Sequence, residues 1–157
     1  MVEKEIQLSI VIPTIGNRGI LKPTLSKLGF AIKGLSVEVI VVDDSPKSIV
    51  SHGDVKPFRL LRSKGIGAGG ARNMGYKSAN AELLLFLDDD IWVTKENLER
   101  TLELHSLSKA IAYNFFWNYP KELMSELPKS KFGNYILKYK LYSNEHRVGA
   151  LESEFTK

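Results

Sequence analysis

Apolar residues follow two alternating patterns along the chain, and these patterns predict its strands and helices. Short, nearly continuous runs of Val, Ile and Leu are typical of strands buried on both faces, and the clearest is IQLSIVIPT at residues 6–14. Between such runs, leucines recur at helical spacing, as at Leu21, Leu25 and Leu28. The runs predict five strands, at residues 6–14, 37–45, 58–63, 82–90 and 109–117. The spaced segments predict helices at residues 20–33, at 71–79, and from an N-cap at Thr94 to about residue 105.

The order of these elements predicts an α/β protein. Strands joined by helical crossovers pair in parallel, so we expect a mainly parallel sheet with helices on both faces, a Rossmann-like three-layer sandwich. The 157 residues suit one globular domain. After residue 117 the chain becomes rich in Lys, Tyr and Leu, and we interpret this part as a subregion of the same domain. In such sheets, ligands bind beyond the carboxyl ends of the strands.

Polar side chains are concentrated where the predicted strands end. Six of them end the first, second and fourth strands: Thr14, Asp43, Asp44, Asp88, Asp89 and Asp90. Because the carboxyl ends of parallel strands share one edge, we expect an acidic site there. Side chains alternate along an extended chain, so Asp88 and Asp90 can face the same way and share a divalent cation. Aspartates also cap turns, which leaves a structural role open for Asp43 and Asp44.

Residues 65–70, GIGAGG, contain the G-x-G-x-x-G spacing of dinucleotide-binding loops. That loop belongs after the first strand of a βαβ unit, whereas here two strong strands and a helix precede it. We therefore favour a nucleoside diphosphate over NAD or FAD. Glycines would let backbone amides approach a phosphate at the start of the next helix, beside Arg62, Lys64 and Arg72. A plain flexible turn is the structural alternative.

The composition limits the chemistry. The chain has no cysteine, which excludes disulfides, thiolate zinc sites and a cysteine nucleophile. Its three histidines are scattered, so a bound cation would be Mn²⁺ or Mg²⁺ held by oxygen. The net charge of +4 is too small to indicate nucleic acid. The start, MVEKEIQLSI, lacks the apolar stretch of a signal peptide, and no apolar run is long enough to span a bilayer. We therefore expect a soluble, intracellular, cytoplasmic protein.

Four segments together resemble family 2 of the nucleotide-sugar glycosyltransferases, which have the GT-A fold. They are LSIVIPTIGNRGIL, VEVIVVDDSP, GIGAGGARNMGYKSA and FLDDDIW, and they match the family patterns VIPTxNR, VVDDxS, GxxxARNxG and FLDDD in the same order. Each motif is weak by itself, but four in order on the predicted elements are specific. The resemblance covers about residues 8–105.

The resemblance implies that these segments bind a nucleoside-diphosphate sugar. Asp44, with Asp43 beside it, would hydrogen-bond the base, and Asp88-Asp89-Asp90 would be the DXD motif that holds the metal. Other positions implied on the donor side are Pro13, Thr14, Arg18, Gly67, Arg72 and Asn73. The implied reaction is displacement at the anomeric carbon, with inversion, by a hydroxyl of a carbohydrate, lipid-linked or protein acceptor. We expect no nucleic-acid partner.

The last part of the chain departs from the family pattern. Family members carry a GGFDEEF…ED segment near the catalytic base, and GALESEF at residues 149–155 matches only its first half. Glu152 and Glu154 are therefore the candidate bases, and we favour Glu152. Two alternatives stay open: a nucleotide-sugar-binding module without catalysis, and a sugar-phosphate nucleotidyltransferase, although its glycine loop would follow the first strand.

The resemblance divides the single domain into a nucleotide-sugar-binding part, residues 1–105, and an acceptor-side part, residues 106–157, which is short or truncated. In the second part Tyr135, Tyr139 and Tyr142 recur at helical spacing among lysines. This pattern indicates a helix packed on the sheet, an acceptor platform, or at most a peripheral membrane contact.

Overall fold

The computed structural model of the chain describes residues 5–16 and 18–107, with the backbone alone of Arg18. The strands in this part are β1 (Leu8–Thr14), β2 (Val37–Asp43), β3 (Arg59–Arg62) and β4 (Leu84–Phe86). The helices are α1 (Arg18–Ala31), α2 (His52–Val55), α3 (Gly67–Ser78) and α4 (Lys95–Leu107). The predicted strand at 109–117, the tyrosine-rich segment and both candidate bases lie outside the described residues.

The four strands form one parallel sheet in the order β3-β2-β1-β4. β1 pairs with β2 along its whole length, from Leu8 opposite Val37 to Thr14 opposite Asp43. Every residue of β1 is buried, which explains its unbroken apolar sequence. Because parallel strands end together, Thr14, Asp43 and the turn after β4 lie at one edge. The predicted α/β class and parallel sheet are confirmed.

Helices cover both faces of this sheet and so produce three layers. The larger layer contains α1, α2 and α4, whose apolar side chains form one core with sheet residues such as Ile10 and Val41. On the opposite face, Ala71 of α3 packs with Val11 and Ile40. Residues of β1 and β2 contribute alternately to these two cores, because successive side chains of an extended chain point to opposite faces.

Helix α3 lies very close to β1, and Gly75 makes this approach possible. Gly75 is buried, and a Cβ atom at this position would overlap Cγ1 of Val11. Any side chain here would therefore push the helix away from the sheet, so the glycine sets the spacing between the two layers.

Three elements differ from the sequence prediction. The fourth strand is shorter than 82–90, because it pairs with β1 over only three residues, and the acids follow it in a turn. α3 begins at Gly67 and not at residue 71, so the glycine segment is the first turn of the helix. α2 was not predicted. It is a single turn closed by a capping box, in which Ser51 and Asp54 each accept the other's backbone amide.

Candidate functional site

The carboxyl edge of the sheet forms an open cleft of about 300 Å³. β1, β2, α3 and the turn after β4 each contribute to its wall. The lining residues are Pro13, Thr14, Ile15, Asp44, Ala68, Arg72, Asp88, Asp89 and Asp90. Seven of these nine are residues that the sequence placed in a nucleotide-sugar site. Ile15 and Ala68 were missed, because neither side chain carries a chemical signal in the sequence.

Two neighbouring elements hold the acidic turn in place. The Thr14 hydroxyl of β1 donates a hydrogen bond of 2.5 Å to Asp89, and the Arg72 guanidinium of α3 forms an ion pair of 2.5 Å with Asp88. The Ile91 amide donates to the Asp88 carbonyl and closes the turn. Asp88 and Asp90 are exposed at the cleft, whereas Asp89 is half-buried.

The acidic turn fits a cation that is shared with a ligand. Within residues 5–107, no three acids or histidines form a complete metal site. Asp88 and Asp90 supply two exposed carboxylates on one side of the cleft. Mg²⁺ in nucleotide-binding enzymes is commonly held by one or two carboxylates, with phosphate oxygens and water as the other ligands. The donor set is therefore suitable when a diphosphate supplies the remaining oxygens.

Trp92 attaches the acidic turn to α1. Its indole Nε1 donates to the hydroxyl of the buried Thr24 at 3.2 Å, and the Lys27 ammonium lies 2.8 Å from the ring centroid. These three residues were not among the site residues predicted from the sequence. The available signal was a tryptophan two residues after three acids, since a large aromatic ring in a turn needs a surface to pack on.

Asp44 acts as the cap of α3. Its carboxylate accepts hydrogen bonds from the Ser63 hydroxyl at 2.5 Å and from the amides of Gly65 at 3.0 Å, Ile66 at 2.8 Å and Gly67 at 2.9 Å. The Ser63 hydroxyl, followed by these amides, lowers the pKa of Asp44. Two of the glycine amides expected to approach a phosphate, those of Gly65 and Gly67, thus donate their hydrogen bonds to this carboxylate.

Asp43 lies beneath the cleft and does not line it. It is fully buried. One carboxylate oxygen accepts from the amide and hydroxyl of Ser45, and the other accepts from the Val50 amide and from Arg62. Arg62 also donates to the carbonyls of Ser48 and Val50. Both residues therefore fix the loop after β2, so the turn-capping alternative describes Asp43 better than contact with a base.

The remaining predicted site residues lie either outside the cleft lining or outside the described part of the chain. Asn73 is exposed on α3 and is not part of the cleft lining. Gly67 is the first residue of α3, and Arg18 is the first residue of α1, but the Arg18 side chain is outside the described part. Glu152 and Glu154 are also outside it. For these five residues the sequence-based roles stay predictions.

Comparison with known proteins assigns the family. The chain belongs to Glycosyl transferase family 2, whose sequence profile matches residues 9–149. This result confirms the resemblance seen in the four motifs. The three-layer α/β architecture described above is that of the GT-A fold.

Individual relatives are distant. The chain is 30% identical over 105 residues to a dolichol-phosphate mannosyltransferase of Pyrococcus furiosus, covering 62% of this chain and 29% of that protein. It is 30% identical over 123 residues to an uncharacterized glycosyltransferase of Haemophilus influenzae, covering 76% of this chain and 41% of that protein. A crystal structure of Staphylococcus aureus TarS superposes with a TM-score of 0.47 at 20% identity, covering 87% of this chain and 50% of the other.

The chain therefore spans well under half the length of the two relatives. Among the described helices, none combines the length and the apolar character needed to cross a membrane.

Proposed function

We propose that this chain transfers a sugar from a nucleoside-diphosphate sugar to an acceptor hydroxyl, with inversion at the anomeric carbon. The observation that carries the proposal is the cleft, where residues from four sequence motifs meet at one edge of a parallel sheet. Membership of Glycosyl transferase family 2 supports the same reaction class. The acceptor would be a carbohydrate, a lipid-linked group or a protein.

The acidic turn would bind the diphosphate end of the donor. Asp88 and Asp90 would hold Mn²⁺ or Mg²⁺, which when bound supplies positive charge that stabilises the departing diphosphate. Thr14 and Trp92 keep the turn fixed through their contacts with Asp89 and α1. Arg72 lies beside Asp88, and its guanidinium would bind a phosphate oxygen of the donor.

The opposite side of the cleft would bind the nucleoside. Pro13, Ile15 and Ala68 line the cleft and provide apolar surface. The Oδ1 atom of Asp44 accepts three hydrogen bonds, whereas Oδ2 accepts one from Gly67. A carboxylate oxygen has about two acceptor positions, so Oδ2 keeps capacity for one N–H group of a base. Asp44 would therefore orient the base while it caps α3.

Calorimetry with UDP, GDP and TDP, each with and without Mn²⁺, tests the donor site. We expect Mn²⁺-dependent binding of at least one nucleotide by the wild-type protein. Asp90→Ala should abolish the Mn²⁺-dependent part and keep the melting temperature, because Asp90 is exposed in a turn. Glu103→Ala removes an exposed acid of α4, outside the cleft, and should bind as the wild type does. Unchanged affinity in Asp90→Ala would refute the metal assignment.

A nucleotide-sugar-binding module without catalysis is the second candidate, because it would use the same cleft. Hydrolysis of nucleotide sugars with Mn²⁺, and transfer to simple acceptors, distinguish the two. Tight Mn²⁺-dependent binding with neither hydrolysis nor transfer would identify a binding module. Turnover that disappears in Asp90→Ala would identify the transferase.

A further inference from the structure

The surface of α1 carries basic charge without any acid. No Asp or Glu occurs in residues 6–37, whereas this stretch contains Arg18, Lys22, Lys27 and Lys33. Three leucines of α1 face the core, which leaves the lysines for the outer side. Lys27 lies over the Trp92 ring, whereas Lys22 and Lys33 are exposed outside that contact.

A shallow groove of about 460 Å³ lies along this outer side, between α1 and the connection from α2 to β3. Lys22, Lys33 and Lys56 stand on its rim, and Phe30 and Phe58 supply its aromatic surface. Lys22, Ser26 and Phe30 follow each other at intervals of four residues and therefore share one side of the helix. The groove is at a different place from the donor cleft and shares no residue with it.

Phe30 is the most notable residue of this surface. Its side chain is 77% exposed, more than any other large apolar residue of the described part. The ring is outside the core, to which this part of α1 contributes Leu25 and Leu28. An exposed phenylalanine between lysines combines an apolar group and cations on one face, and such a face suits a boundary between anionic headgroups and acyl chains.

One acid, Asp54, also lines the groove, but its carboxylate is engaged in hydrogen bonds. Asp54 accepts the amide of Ser51 at 2.9 Å and its hydroxyl at 2.6 Å. Its charge is thus directed toward the cap of α2, whereas the three lysines are exposed. The accessible charge of the groove is positive.

We propose that this face of α1, with Phe30 at its centre, docks on the surface of an anionic lipid bilayer. The lysines would bind headgroup phosphates, and the Phe30 ring would enter the region between headgroups and acyl chains. A soluble anion would satisfy the lysines but would give the ring no apolar environment, which is why a membrane surface fits better. The binding would be reversible and sensitive to salt, because one apolar side chain and three cations are a weak anchor. The inference does not depend on the reaction in the donor cleft.

Sedimentation of the full chain with vesicles tests this proposal. The vesicles consist of phosphatidylcholine alone or phosphatidylcholine mixed with phosphatidylglycerol. We expect binding to the mixed vesicles that decreases with added NaCl, and much weaker binding to phosphatidylcholine. Each lysine near an anionic surface strengthens binding about fivefold. The triple variant Lys22→Gln/Lys33→Gln/Lys56→Gln should therefore weaken it about a hundredfold.

A matched variant controls for total charge. Lys47→Gln/Lys64→Gln/Lys77→Gln changes three exposed lysines outside the groove. Both triple variants take the formal net charge from +4 to +1, since 4 − 3 = 1. The control should retain most of the wild-type binding. Phe30→Ser leaves the charge unchanged and should weaken binding severalfold, with a melting temperature close to that of the wild type because the ring is outside the core.

Several results would overturn the proposal. Failure of the wild type to bind the mixed vesicles would exclude docking on an anionic bilayer. Equal losses in the two triple variants would mean that only total charge matters. An unchanged affinity in Phe30→Ser would show that the ring does not enter the bilayer. Stabilisation of the wild type by inorganic phosphate that needs the groove lysines, without vesicle binding, would assign the groove to a soluble anion instead.

Discussion

Asp43 and Asp44 are neighbours in the chain but serve opposite layers of the fold. Successive side chains of an extended segment point to opposite faces. Asp43 therefore binds the loop that leads to α2, and Asp44 binds the start of α3. The two acids together fasten the end of β2 to the elements on both sides of the sheet. Two adjacent aspartates thus make contacts on opposite faces of the sheet.

The first prediction concerns Asp44 and pH. Its pKa lies below the ordinary value of 3.8 because of the Ser63 hydroxyl and the amides of α3. A lowered folded-state pKa means that the charge stabilises the fold above about pH 3.8, and that this stabilisation is lost as the pH falls through the folded-state pKa. Asp44→Asn should lower the melting temperature by several degrees at neutral pH, and the gap to the wild type should narrow in strong acid.

Thermal unfolding from neutral to strongly acidic pH measures the difference in melting temperature between Asp44→Asn and the wild type. Glu103→Gln is the control, because this exposed acid pairs with Arg100 at the surface and such pairs contribute little. A gap for Asp44→Asn that stays constant from neutral to strongly acidic pH would show that its charge is not what stabilises the start of α3.

At the scale of elements, α3 is the helix whose sequence predicts it least. Its first turn, GAGG, has poor helix propensity, yet the turn is helical because a carboxylate from β2 satisfies amides at its start. Further along, Gly75 lets the helix rest on Val11. Both stabilising contacts come from strands that are distant in sequence, so the helix depends on the sheet for its position.

The second prediction separates two glycines of α3. Gly75→Ala should destabilise the protein by about 1–3 kcal/mol, because the new methyl group overlaps Val11 and the layers must move apart. Gly69→Ala is the matched control. A Cβ there meets no atom within 4 Å, so the change should be neutral or stabilise by roughly 0.5–1 kcal/mol through the backbone. Urea unfolding of both variants gives these values, and equal effects would contradict the packing argument.

The third prediction concerns the acidic turn and its attachment to α1. Trp92→Phe keeps an aromatic ring but removes the hydrogen bond to Thr24. It should weaken Mn²⁺-dependent nucleotide binding about tenfold, the low end for residues that only orient ligands. Metal-free binding and the melting temperature should change little.

Thr24→Val checks the same contact from the helix side and should have an effect similar to that of Trp92→Phe. A loss of stability in both variants, without a selective loss of Mn²⁺-dependent binding, would mean that Trp92 contributes only to packing. Calorimetry with and without Mn²⁺, together with thermal unfolding, separates these outcomes.

At the scale of the molecule, the sequence predicts the sheet better than the site. Long apolar runs predict β1 and β2 because both strands are buried on both faces, and their shared edge follows from parallel pairing. A structural role for Asp43 and Asp44 could be proposed from the sequence, but their partners could not, because these include residues 19 to 23 positions away, such as Arg62 and Gly67. α2 was missed because one turn has no period to detect.

The fourth prediction concerns the catalytic base, for which the candidates Glu152 and Glu154 lie outside the described residues. Displacement at the anomeric carbon needs a carboxylate within hydrogen-bond reach of the acceptor hydroxyl. We expect Glu152→Gln to reduce transfer by about 10²-fold or more while donor affinity is unchanged. Glu154→Gln is the matched control and should retain more activity. Wild-type turnover in both variants would place the base elsewhere.

The cap that Asp44 forms on α3 has a consequence for solvent exchange. Gly65, Ile66 and Gly67 are exposed at the protein surface, and glycine-rich surface loops usually exchange their amide hydrogens with water quickly. Here all three amide hydrogens are held by one carboxylate. They should therefore exchange slowly and together, and only when the end of β2 separates from the start of α3. Deuterium uptake at these residues would then measure how often the contact between Asp44 and the start of α3 opens. Asp44→Asn should make this uptake fast.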